Sequence, residues 1–136
     1  MFSRIAQFLC VLVLCLGGVA AANAQSAQLV MLERDDCPWC RAWHREIGPG
    51  YPHSDEGKRA PLRRVDLAGT WPSDLPPLAA YYTPTFVVLA CNREIGRVVG
   101  YPGADFFYPA LARLLHPLEN GTPACGYAMP GKYPLA

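Results

Sequence analysis

An excess of charge of either sign is missing from this sequence: 12 basic and 11 acidic residues are spread over 136 positions with no long run of one kind. A basic face for a polyanion is therefore lacking, and no nucleic-acid partner is expected. Long apolar runs are scarce as well. The longest, residues 5–19, contains Gly17-Gly18 and falls short of the ~20 residues that a membrane-spanning helix needs. Internal repeats and low-complexity tracts are absent. Histidine is limited to three positions, and neither His53 nor His116 belongs to a ligand or catalytic pattern.

The apolar run has a different use. Met1–Arg4 is a short positive leader, residues 5–19 follow as its apolar stretch, and Ala22-Asn23-Ala24 supplies small residues for cleavage. This is the pattern of a secretory signal peptide cut after Ala24. A lipoprotein is disfavoured because Leu14 stands before Cys15, where a small residue is required. Cys10, Cys15 and Arg4 leave with the leader, so the mature chain, residues 25–136, is close to neutral. It has the length of one domain, secreted through its cleaved leader and not inserted in the membrane.

All 14 prolines fall in that mature part and imply rigid, irregular connections between short elements. Residues 28–34 read as a strand, because Leu29-Val30-Met31-Leu32 is a continuous apolar run suited to burial on both faces. Pro38 suits the first turn of a helix, with Cys40, Trp43 and Ile47 on one face and Gly48-Pro49-Gly50 as its stop. Residues 51–61 read as a surface excursion in which Ser54 caps one helical turn. A second strand is expected over 62–67, and a short helix over 75–81 with Asp74 as its cap and Pro76-Pro77 in its first turn. Strands over 85–90 and 94–100 form a hairpin across Cys91-Asn92-Arg93. The apolar positions Phe107, Leu111, Leu114, Leu115 and Leu118 predict a helix over 106–118, and a Gly- and Pro-rich tail runs from about 119. The order implies an α/β domain whose first two strands are parallel.

Cys37-Pro38-Trp39-Cys40 carries the chemistry. A thiol attacks a disulfide only as the thiolate, and a second thiol must stand close by to displace the mixed disulfide that forms. Two intervening residues on a helix put the sulfurs one turn apart. Cys37 at the helix N-terminus has its thiolate favoured by unpaired N–H groups and the macrodipole, with Cys40 further inside as the resolving thiol. Asp35 and Asp36 act against the thiolate, but exposed carboxylates are screened. Covalent haem attachment would need histidine after Cys40, where Arg41 stands. A zinc site would need two more ligands, and only the single Cys91 and Cys125 and scattered histidines remain. A static disulfide of the kind found in secreted domains is the competing reading. No metal and no separate cofactor is expected, since the cysteine pair itself carries the electrons.

With these residues placed, the chain resembles the thioredoxin superfamily from about Leu29 to Leu118. The resemblance rests on Leu29-Val30-Met31-Leu32 leading into the cysteine motif, on Tyr82-Thr83-Pro84-Thr85-Phe86, and on Gly96-Arg97-Val98-Val99-Gly100-Tyr101. It implies a thioredoxin-like fold in its minimal, glutaredoxin-like form: a mixed four-stranded sheet flanked by helices. It also implies a cis Pro84 facing the cysteines and a Thr83 backbone that pairs with an extended substrate segment, with Pro38 and Trp39 shaping the motif surface. The buried acid that thioredoxins carry before the motif has no counterpart, for Met31 stands there, and Glu33 and Asp36 are expected to be solvated. The stretch from Glu46-Ile47-Gly48-Pro49 to Arg63-Arg64-Val65-Asp66 is similar to the SoxS type, periplasmic thioredoxins of bacterial sulfur-oxidation systems. That similarity implies a protein disulfide substrate, possible service to a sulfur-carrier protein, and a membrane thiol reductase as electron donor.

Other residues are weighed against blander roles. Cys91 and Cys125 are candidates for a structural disulfide, worth about 3 to 4 kcal/mol in the chain-entropy model, with free or exchanging thiols as the alternative. Trp39, Trp43 and Trp71 are candidates for a substrate-facing aromatic surface, Trp43 fitting the core better and Trp39 the surface. His44, one turn past Cys40, is placed on a solvated helix face rather than against a thiol. The expected function is a thiol-disulfide oxidoreductase working as a reductase. A disulfide-donating oxidase and a non-catalytic module holding a protein or a metal such as copper are the alternatives.

Overall fold

The structure is a computed structural model that describes residues 27–119. The signal peptide read over 1–24 and the tail with Cys125 lie outside the described residues. The elements run β1 (Gln28–Glu33), α1 (Pro38–Glu46), a 3-10 turn (Tyr51–His53), α2 (Asp55–Arg59), β2 (Leu62–Asp66), β3 (Thr85–Ala90), β4 (Arg93–Val99) and α3 (Ala104–Glu119). The sheet order is β2-β1-β3-β4. β1 and β2 are parallel, with Leu32 opposite Val65, and β1–β3 and β3–β4 are antiparallel.

Alternation along β1 and β3 sends successive side chains to opposite faces, and both faces are covered. On one face Leu29, Met31, Phe86 and Val88 pack with Trp43 of α1 and with Phe107, Leu111 and Leu115 of α3. The Trp43 ring lies 5.3 Å from Phe86, and Phe86 lies 4.8 Å from Phe107 in an edge contact, so aromatic rings bind both helices to the sheet. On the other face Val30, Leu32, Val65, Val87 and Leu89 are covered by Leu75, with Trp71, Leu78 and Ala80 around it.

That second cover is not a helix. The helix expected over 75–81 does not form, and residues 67–84 run as an irregular strap. Asp74 does not cap: its carboxylate takes both Nη atoms of Arg63, at 2.5 and 2.8 Å. Leu75 N–H closes a turn on Pro72 O, and the following Pro76 and Pro77 have no N–H to continue a helical ladder.

The excursion over 51–61 is anchored rather than loose. Tyr51 is fully buried and its hydroxyl donates to Ala60 O at 2.7 Å. Ser54 caps α2 by accepting from Gly57 N–H at 2.9 Å. The β3–β4 turn uses only Cys91 and Asn92, with φ of 51° and 58°, the double positive-φ geometry of a two-residue hairpin. A register shift between Val88 and Leu89 then lets Gly96 oppose Val88. No helix among the described residues is long and apolar enough to cross a membrane.

Candidate active site

The apolar β1 strand ends at Glu33, and Arg34-Asp35-Asp36 turns the chain, with Cys37 N–H donating to Arg34 O at 3.2 Å. Cys37 is the N-cap of α1 in extended conformation (φ −88°, ψ 108°), and Pro38 begins the helix, where a missing N–H is without cost. The Cys37 Sγ accepts from the backbone N–H of Cys40 at 3.0 Å. The sulfur thus takes the place of a capping oxygen at the positive end of the helix, the arrangement that favours a thiolate. The two cysteines are disulfide-bonded across this first turn, with Cα atoms 5.2 Å apart. Cys37 is 5% exposed and Cys40 2%.

Charge around the cap is balanced locally. Asp35 and Asp36 are exposed, no acid stands in the first turn of α1, and His44 and Arg45 lie in its last turn, where cations suit the dipole. Arg41 Nη1 donates to Asp35 O at 3.1 Å, which brings a cation to the turn before Cys37 and offsets the aspartates.

Sheet register brings a second segment to the same end of the molecule. Leu32 lies opposite Thr85, so the end of β1 that leads to Cys37 neighbours the start of β3, where Thr83-Pro84 enters. The Thr83–Pro84 peptide is cis and Pro84 is buried. Pro84 O accepts from Gly100 N–H at 2.8 Å, and Thr85 Oγ1 donates to Tyr82 O at 2.7 Å. Two further groups surface here: Trp39 is 63% exposed, and Tyr81 and Tyr82 are 96% and 72% exposed.

The three tryptophans do not form one surface. Trp43 is wholly buried under α1, and Trp71 packs on the opposite face of the sheet, where its Nε1 donates to Leu75 O at 3.4 Å. His53 and His116 are exposed and lie away from the cysteine motif in sequence and element. Cys91 is disulfide-bonded, and Cys125, its expected partner, lies outside the described residues.

Glu33 overturns its expected placement in solvent. It is buried, its Oε2 lies 2.6 Å from His44 Nε2, and its Oε1 accepts from Arg64 Nε at 2.5 Å. His44 is accordingly not on a freely solvated face. Glu33 follows Met31 on the same face of β1, and its side chain reaches His44 of α1 and Arg64 of β2. Nothing in the local pattern marks this pairing, because its partners come from two other elements. Asp36 remains exposed as expected. Among the described residues no group of three or more His, Cys, Asp or Glu is placed to hold a metal ion.

No protein-family model matches the chain, and no curated protein does. Among solved structures it is similar to the periplasmic thioredoxin SoxS from Paracoccus pantotrophus in its reduced form, at 44% identity and a TM-score of 0.61. The match covers 67% of this chain and 97% of the other. With a cysteine pair bonded across the first turn of the helix that follows β1, and a relative this close, the chain belongs to the thioredoxin superfamily and is a SoxS-like thiol-disulfide oxidoreductase.

Proposed function

We propose that the protein is a periplasmic reductase of disulfides, or mixed disulfides, on a protein partner, with Cys37 as nucleophile and Cys40 as resolving thiol. Cys37 thiolate attacks one sulfur of the partner disulfide and expels the other as a thiolate, which takes up a proton. Cys40, as thiolate, then attacks the Cys37 sulfur, forming Cys37–Cys40 and releasing the partner's second thiol. Two electrons pass to the partner, and a membrane thiol reductase restores the dithiol. Pro38 and Trp39 shape the surface beside Cys37, and Thr83 with Pro84 orients an extended substrate segment. The SoxS relative is a periplasmic thioredoxin, and the resemblance to the SoxS type of sulfur-oxidation systems extends the proposal to a sulfur-carrier protein as that partner.

The observation that carries the thiol-disulfide exchange and the choice of Cys37 as nucleophile is the bond from Cys40 N–H to Cys37 Sγ, which sets that sulfur as the cap of α1; the reductase direction rests on the family likeness. A thiolate there gains the helix-terminal N–H that the Cys40 thiol lacks. The deciding experiment is the reduction potential of the Cys37–Cys40 pair in the mature protein, by equilibration with glutathione or dithiothreitol buffers and thiol trapping. A value around −270 mV supports a reductase; one around −120 mV assigns a disulfide donor instead. A Cys37→Ser variant that keeps its biological activity would point to a non-catalytic binding module.

We propose Cys125 as the disulfide partner of Cys91, a bridge that would tie the tail to the β3–β4 turn. This rests on the bonded state of Cys91 and on the exported, oxidising compartment. A non-reducing peptide map in which the Cys91 and Cys125 peptides run separately would remove it.

A further inference from the structure

The strap over 67–84 has no helix or strand of its own, yet it delivers Tyr81, Tyr82 and Thr83 to the cysteine end of the sheet. A segment without a hydrogen-bond ladder must be held by side chains. Arg63 holds its middle through Asp74, and near its exit Arg97 of β4 donates from Nη1 to Ala79 O at 2.8 Å. Arg97 is itself held in place. Its Nε and Nη2 donate to the two oxygens of Glu94, each at 2.5 Å, so the planar guanidinium is oriented by one fork while its third nitrogen faces the strap. Glu94 also keeps the guanidinium charged, above its ordinary range, chiefly through this hydrogen bonding.

Ala79 lies just before Tyr81-Tyr82, whose rings project into solvent. No charged side chain occurs from Leu78 to Thr85. Beyond the clamp, Thr85 Oγ1 and Gly100 N–H hold the carbonyls of Tyr82 and Pro84. The exposed aromatics therefore stand on a backbone gripped on both sides, next to the position where a substrate strand would pair with Thr83.

We propose that Arg97 is a positioning residue for substrate docking: by holding Ala79 O it sets Tyr81 and Tyr82 as the specificity-determining surface for an extended, uncharged stretch of the partner. The inference rests on the oxidoreductase reading of Cys37 given above. Two large rings on a segment without charged side chains favour apolar contact and backbone pairing over ion pairing. Arg97 acts through the strap and touches neither sulfur nor substrate.

The test uses the reduced mature protein and two probes that release thionitrobenzoate: a short unstructured peptide of uncharged residues whose single cysteine carries that group, and the symmetric small disulfide of the same thiol. Arg97→Met is expected to slow reaction with the peptide roughly fivefold to tenfold, the scale of one lost polar contact. Its reaction with the small disulfide and its Cys37–Cys40 potential should match wild type. A double Tyr81→Ser, Tyr82→Ser variant, altered only at exposed rings, should show the same selective loss. Arg97→Lys keeps the charge but lacks the fork, and should not restore the rate. An unchanged peptide rate in Arg97→Met, an equal loss on both probes, or a shifted potential would overturn the proposal. If Arg97→Met does not fold, the tyrosine variant decides: an unchanged peptide rate overturns it. A wild-type protein that reacts with neither probe would overturn the Cys37 reading itself, and this inference with it.

Discussion

His44 Nε2 lies 2.6 Å from Glu33 Oε2, joining the helix that carries the cysteines to the strand that leads into them. His44 follows Cys40 by one helical turn, so the contact fixes the helix just behind the reacting pair. Arg64 completes the arrangement from β2.

Glu33 is the member on which this arrangement depends. Glu33→Ala is expected to lower stability by about 2 kcal/mol, because a buried carboxylate with two charge-assisted partners is lost. Arg64→Ala should cost less than about 1 kcal/mol, since that side chain is mostly exposed. Chemical denaturation of the oxidised proteins, compared at equal m, reads both.

Cys40→Ser should trap the reaction halfway. Without a resolving thiol the Cys37 mixed disulfide cannot collapse, so a covalent adduct with a partner disulfide accumulates. Non-reducing electrophoresis and mass spectrometry detect it. The adduct should be absent in Cys37→Ser.

Gly57 leaves no room for a side chain. A Cβ there would come within 1.8 Å of Tyr51 O, a backbone atom that cannot swing aside. Gly57→Ala is expected to destabilise by about 3 kcal/mol. The loss should appear as a lower thermal midpoint with the cysteine potential unchanged.

Tyr51 predicts an alkaline limit. Burial first, and then the negative charge of Glu56, holds its phenol well above the ordinary tyrosine range. The folded state binds that proton more tightly than the unfolded chain. Its stabilising contribution is therefore complete below the unfolded value of about 10 and is lost as pH rises beyond it. Wild type should lose stability above about pH 10 more steeply than Tyr51→Phe, which at neutral pH costs about 1 kcal/mol for the lost bond to Ala60 O. Denaturation midpoints measured from neutral to alkaline pH check the slope.

Local pattern made most of the scaffold legible. The run Leu29-Val30-Met31-Leu32 marked β1, Pro38 marked the start of α1, Ser54 its neighbour's cap, and the spacing of Phe107, Leu111 and Leu115 marked α3. Two of the failures share one cause, a partner that arrives from another element. Asp74 looked like a helix cap, but Arg63 on β2 claimed its carboxylate. Glu33 looked solvated until His44 and Arg64 arrived from other elements. Tyr81 passed as the end of a helix over 75–81 that Pro76 and Pro77 did not sustain.

By itself the sequence determined the cysteine motif, its place between strand and helix, and the family likeness, because these depend on residues near one another in the chain. Periodicity, caps and turn residues act over a few positions and leave their mark in order. The tertiary structure alone decided the buried Glu33 cluster and the Arg97 clamp on the strap. Those are contacts between segments far apart in sequence, and strand register, which sets them, is chosen by the packing of both sheet faces at once.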